Sequence, residues 1–231
     1  MRGDADTAIG GKRDRFPSTQ VSLIEAAGGE PLAMERVLSL YWKPVYKFIR
    51  VKFGKSNDEA KDLTQGFFAS ALEREFFQRF DSSKASFRTY IRMGVERYAA
   101  ARHEAEGRQK RGGGIETLQL YDSVAGSATP EDIFLQEWRR QLFALALEEM
   151  CTEFAAAGKL TQWAVFETYD LADGERPSYA EVARSCGVTV SAVTNYLALA
   201  RRRLRALVTE RLRGVTGGDR ELREELHGLW S

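Results

Sequence analysis

The sequence predicts an all-α protein: two small helical domains joined by a flexible linker. Helix-favouring residues dominate, and apolar side chains recur at helical spacing through the long segments. Proline is scarce, five in 231 residues, and falls mostly at breaks. A glycine-rich stretch without apolar period, Gly107 to Thr129, divides the chain. With 43% hydrophobic and 29% charged residues, the composition is that of a globular protein with room for one or two cores.

Residues 1–15 are charged, glycine-containing and aperiodic, and are expected to be disordered. The first domain is assigned to 16–108. From Ser18 to Phe53 two helical stretches are expected, the second running from Leu32. It carries Val37, Leu38, Tyr41, Trp42, Val45, Phe48 and Ile49 on one broad face, and Pro44 inside it predicts a kink or break. Gly54-Lys55-Ser56-Asn57 ends that segment. Ser56 or Asn57 then caps a helix expected from Asp58 to Arg79, with Asp58 and Glu59 complementing its dipole. Phe80 to Ser83 reads as a turn, and Ser86 as the cap of a helix from Phe87 to about Arg108. The linker is assigned to 109–128. The second domain, 129–214, opens on Thr129-Pro130-Glu131-Asp132, with proline early and carboxylates in the first turn. Residues 215–231 form a tail whose Leu222, Leu226, Leu229 and Trp230 line one side of a short amphipathic helix.

The segment Tyr179 to Leu207 reads as a helix-turn-helix. Val182, Ala183 and Cys186 give the first helix its apolar face, and Gly187 supplies the positive φ of a sharp turn. Val188 tucks under that turn, and Thr189 or Ser191 can cap the second helix. Val193, Tyr196, Leu197, Ala200 and Leu204 pack the second helix on the first. Ser191, Ala192, Thr194, Asn195 and Ala198 remain outside, small or polar as a helix entering a major groove requires. An ordinary αα-hairpin with solvated arginines is the plainer alternative. Against it stands the charge: from Arg176 to Arg213 there are eight arginines and two glutamates, an excess of six hidden in a whole-chain balance of +1. Phosphate neutralisation calls for such a footprint.

A second stretch, Phe87 to Tyr98, interleaves aromatic with basic residues and is followed by Arg102, Arg108, Lys110 and Arg111. Aromatic faces stack on unpaired bases while arginines track the strand. Phe87, Ile91 and Tyr98 are also spaced as core positions, and core is the commoner fate of such aromatics.

Other chemistries find little support. Cys151 and Cys186 lie far apart in helix-like segments and read as core residues of a reducing compartment, with the cytoplasm as the expected location. With His103 and His227 the two histidines, no ligand set has metal spacing, and no metal or other cofactor is expected. No apolar run is long enough to cross a bilayer, and the N-terminus lacks the apolar core of a secretory signal, so no membrane partner is expected. GRQKRGGG lacks the Lys-Ser/Thr ending and strand context of a phosphate loop, and no acid–base pair or nucleophile constellation is evident, so no enzymatic activity is expected.

The run Asp58-Glu59-Ala60-Lys61-Asp62-Leu63-Thr64-Gln65-Gly66-Phe67-Phe68, then Phe87-Arg88-Thr89-Tyr90-Ile91, a basic end, a linker and a C-terminal helix-turn-helix together resemble an extracytoplasmic-function sigma factor of bacterial RNA polymerase. The resemblance covers about Phe16 to Arg213. It implies that the first domain is sigma region two and the last is sigma region four. It implies core RNA polymerase and promoter DNA as partners and no catalysis by the chain itself. Asp58, Asp62 and Gln65 would touch the polymerase clamp; helix-dipole compensation and solubility are the plain alternative for them. Arg88, Tyr90, Arg97 and Arg102 would face the minus-ten element. Ser191, Thr194 and Asn195 would meet base edges of the minus-thirty-five element, with Arg201, Arg202 and Arg205 on phosphates. The family often carries Trp where Tyr90 stands and Asn where Arg97 stands. The segment Thr152 to Asp173 is longer than the family's usual lead into the motif, and the C-terminal helix is additional; it is expected to pack on one of the domains or to receive a regulator. An anti-sigma factor is a candidate partner. Two other readings stay open: a stand-alone helix-turn-helix regulator with a palindromic site, and a helical adaptor that binds protein alone.

Overall fold

A computed structural model of the chain describes residues 31–109 and 128–230. The expected N-terminal disorder, the first helical stretch after Ser18 and nearly all of the linker lie outside the described residues. Within them every regular element is a helix: α1 Pro31–Lys52, α2 Asn57–Glu73, α3 Phe87–Gln109, α4 Pro130–Ala156, α5 Leu160–Phe166, α6 Tyr179–Cys186, α7 Val190–Gly214 and α8 Asp219–Trp230. A π-helical turn, Glu167–Leu171, extends α5.

Local sequence sets three of the helix starts. Ser56, Thr129 and Ser178 each accept from the backbone N–H three residues on, while Glu59, Asp132 and Glu181 reach back to the cap's own N–H. Each pair satisfies two backbone donors that the helix cannot. Those hydrogen bonds hold all three carboxyls below the usual range. Pro44, by contrast, does not break α1. The helix runs through it because Tyr41, Val45, Phe48 and Ile49 on the surrounding turns are all fully buried, which outweighs the ~3 kcal/mol of a missing hydrogen bond.

α2 stops six residues short of the expected Arg79. Glu75 takes a left-handed conformation (φ 53°), and Phe76 N–H closes on Ala71 O at 3.0 Å while Glu75 N–H closes on Leu72 O at 3.5 Å. Glycine ordinarily signals this closure. None is present, so apolar periodicity through Phe76 and Phe77 suggested a longer helix. Both rings still pack: Phe77 is fully buried, and Phe76 stacks on Tyr90 with centroids 4.4 Å apart.

The most extensive helix pairing joins the two halves, α1 lying against α4. Phe48 meets Phe134 edge-on at 5.7 Å, and Trp138 and Leu142 are buried in the same apolar cluster as Tyr41 and Phe87. Polar contacts reinforce the seam. Lys47 pairs with the buried Glu137 at 2.5 Å, and Gln141 Nε2 donates to Ser39 O at 2.9 Å. Lys52 and Arg92 both bridge Glu96 and Glu131 at 2.9 to 3.2 Å, tying α1, α3 and α4 at one point. Burial pulls Lys52 down, but the hydrogen bonds it donates to Glu96 and Glu131 prevail and leave its ammonium above the ordinary value.

Candidate nucleic-acid interface

α6 and α7 form the expected helix-turn-helix. Gly187 has φ 67° and ψ 34°, and Val188 N–H bonds back to Ala183 O at 2.9 Å, closing α6. Thr189, rather than Ser191, caps α7, accepting from Ala192 N–H at 3.1 Å. Val182, Val193, Leu197 and Ala200 are buried between the helices. Ser191, Thr194 and Asn195 are all exposed on the first two turns of α7. Thr194 Oγ1 donates to Val190 O at 3.3 Å. The cap on α6 should be measurable: Ser178→Ala is expected to cost about 1 kcal/mol in a urea melt.

The arginines divide into two groups. Arg201 is engaged: its Nε and Nη2 both reach Asp170 at 2.8 Å, and it lies over the Tyr169 ring at 5.6 Å. Arg203 pairs with Glu153 at 2.5 Å and Glu210 at 3.3 Å. Arg211 pairs with Glu149 at 2.6 Å. Three of these carboxylates, Asp170, Glu153 and Glu149, lie before Arg176, outside the stretch in which the excess of six was counted. Arg202 is exposed, and Arg205 lies over the Trp230 ring at 4.9 Å. The usable positive charge of α7 is therefore smaller than the sequence suggests, and Arg201 is a strut to the π-turn in this conformation.

The Glu153–Arg203 pair carries a pH signature. Hydrogen bonds from Arg203 hold the Glu153 carboxyl below its ordinary value of 4.5. A carboxylate with a depressed folded value contributes stability above its unfolded value and loses it as pH falls through the folded one. Glu153→Gln should therefore flatten the loss of thermal stability below pH 4.5, with little of that difference remaining in the slope at neutral pH.

α2, the turn after it and α3 enclose a cleft of about 800 Å³. Arg74, Arg79, Arg97 and Arg102 line it together with Phe76, Tyr90 and Tyr98. Tyr90 and Arg97, singled out from the sequence, meet here. Tyr90 O–H donates to Phe76 O at 2.8 Å, and burial raises its phenol above the usual range. Arg102 lies over the Tyr98 ring at 5.7 Å and donates to its oxygen at 3.1 Å. Arg88 is elsewhere: it pairs with Glu225 at 2.9 Å and lies over Trp138 at 5.0 Å. Gly94 leaves room for the Phe76 ring in the cleft wall, since a Cβ there would sit 2.5 Å from Phe76 Cζ. Phe76 cannot easily yield, because Tyr90 and Phe67 hold its ring. Gly94→Ala should cost about 1–3 kcal/mol by overpacking, read from a denaturant melt.

Against this geometry, a family model for ECF sigma factors matches residues 20–226. The chain belongs to the ECF sigma factor family. No curated protein and no solved structure matches it. As an ECF sigma factor it acts in transcription initiation, a role that involves RNA polymerase and promoter DNA. No helix among the described residues is long and apolar enough to cross a membrane.

Within this sigma factor, Asp58, Asp62 and Gln65 are exposed on the first turns of α2. Asp58 lies 3.6 Å from Lys61. Inward, Ala60, Thr64, Phe67 and Phe68 bury the opposite face. Arg74 and Arg79 escaped the sequence reading, because both were assigned to a continuing helix. The unglycinated turn at Glu75 puts them on the rim of the cleft. Asp170 also escaped it, and a longer lead into the helix-turn-helix was the visible signal.

Proposed function

We propose that this sigma factor reads its promoter with two surfaces at once: α7 on the minus-thirty-five element and the arginine-lined cleft on the minus-ten element. The exposure of Ser191, Thr194 and Asn195 on one helix, beside a buried packing face, carries the first part. An asparagine can bind an adenine edge through two hydrogen bonds, and serine and threonine suit either base type. For the minus-ten element the support is chemical. Four arginines around Phe76, Tyr90 and Tyr98 supply phosphate charge and stacking faces for an unpaired strand. Arg97, Arg102, Arg202 and Arg205 are the basic side chains assigned to DNA, and Arg88 and Arg201 join them once their carboxylate partners let go. Asp58, Asp62 and Gln65 on α2 supply the polar contacts to the polymerase clamp. The division into a region-two-like part, 16–108, and a region-four-like part, 129–214, follows from these roles, with an anti-sigma factor as the natural inhibitor of either surface.

Two weak readers on one chain gain affinity when polymerase holds both at promoter spacing. Run-off transcription with bacterial core RNA polymerase on a genomic fragment library tests the proposal. Chain-dependent start sites are expected, with upstream elements at a fixed spacing. Strong sequence-specific binding by the free chain to a palindrome, without chain-dependent starts, would replace it with a stand-alone regulator.

A further inference from the structure

α8 is additional to the two reading surfaces, yet it touches both halves. Leu222 is buried against the core. Glu221 accepts from the N–H of Phe87, the first residue of α3, at 2.8 Å, and from Gly217 N–H at 2.7 Å. One turn on, a single oxygen of Glu225 accepts from Arg88 Nε at 3.2 Å and Nη2 at 2.9 Å. At the far end Arg139 donates to Gly228 O at 2.9 Å. Trp230 meets Phe143 edge-on at 5.4 Å and lies under the Arg205 guanidinium.

Arg88 and Arg205, assigned to DNA on opposite halves of the chain, are thus both occupied by one helix of twelve residues. The chemistry at its acidic end is that of a backbone phosphate: an anion on a helix N-terminus and on an arginine fork. We propose that α8 is an internal stand-in for the promoter backbone, holding the free chain closed by occupying Arg88, the start of α3 and Arg205, and released when core polymerase engages the chain. The inference rests on α3 and α7 being the DNA-facing helices. Release is helped by the cost of the closed state. Burial pushes the Glu221 carboxyl above its usual range, so that group regains hydration on leaving. A binding-competent form that is only a minor fraction of the free chain lowers the apparent DNA affinity by that fraction.

The test uses the full chain and a fluorescein-labelled, mixed-sequence duplex with a single-stranded arm, read by anisotropy at low salt without polymerase. Glu221→Gln/Glu225→Gln should bind it about tenfold tighter than the parent chain or better, and adding Arg88→Ala should abolish the gain. Asp219→Asn/Glu224→Gln removes the same charge from exposed positions and should give no comparable gain. Trp230→Ala, which frees the other end, should give a smaller gain and stands in if the double variant fails to fold. Hydrogen exchange supplies a readout without DNA: residues 219–230 should be protected in the free chain and lose protection on adding core polymerase. No gain, an equal gain in the charge-matched control, or persistent protection on polymerase would overturn the stand-in. If core polymerase does not bind the chain, the promoter-reading proposal fails, while anisotropy and exchange on the free chain still decide whether α8 competes with DNA.

Discussion

Trp138→Ala should cost about 3–5 kcal/mol and lower the stability of the whole described fold in one transition. The indole is 1% exposed, and large-to-small changes at such sites lose both transfer energy and packing. Its position makes the effect global. Trp138 sits on α4, among the α1 and α3 residues of the shared core, and Arg88 of α3 lies over its ring. Removing it loosens the seam between the halves as well as the interior of one of them. Calorimetric and van't Hoff enthalpies that agree for both parent and variant would bear this out. Two separate transitions, with α5 to α7 melting apart from α1 to α3, would mean that the halves are independent and merely touch.

Asn195→Ala should cut chain-dependent transcription by roughly 5- to 150-fold at promoters with an intact minus-thirty-five element, the range that about 1–3 kcal/mol of base discrimination allows. Stability should barely move, because the side chain is exposed and the core face of α7 is untouched. The informative measurement is run-off transcription from paired templates, one with the upstream element scrambled. A base-reading role predicts that the variant loses activity on the intact template and loses little more on the scrambled one. Equal losses on both would assign Asn195 to phosphate contact or to the helix itself.

Much of the fold could be read from the sequence because the signals were local. Ser56 with Glu59, Thr129 with Asp132 and Ser178 with Glu181 each mark a helix start within four residues, and Gly187 marks the turn of the helix-turn-helix. What escaped was set by distant partners. Nothing near Arg201 announces Asp170, since the two meet only once the π-turn folds back on α7. The same holds for Arg88 and Glu225, more than a hundred residues apart in the chain. Charge counting along a segment overstates what reaches solvent, because a folded chain pairs its arginines with carboxylates from other helices. The early end of α2 was invisible for a different reason: Glu75 occupies a conformation that sequence rules reserve for glycine. Family membership required none of these long-range pairs, but the geometry of the candidate surfaces depends on them.

α7 has one more consequence. It is an unbroken rod of 25 residues, about 37 Å long and so close to one turn of B-form DNA. Its first half packs on α6 through Val193, Leu197 and Ala200, and its far end is held by Leu207, Val208 and Leu212 in the core and by Arg211 on Glu149. A pivot of about 10° at the far end would carry α6 and the first turns of α7 together by about 6 Å, nearly two base-pair steps. On the proposed reading of DNA by its first turns, the tolerance for different promoter spacings is expected to follow the stiffness of this mounting, which at Leu212 lies about 25 Å along the rod from Asn195. Softening Leu212 should then widen that tolerance while leaving Ser191, Thr194 and Asn195 in place on the helix.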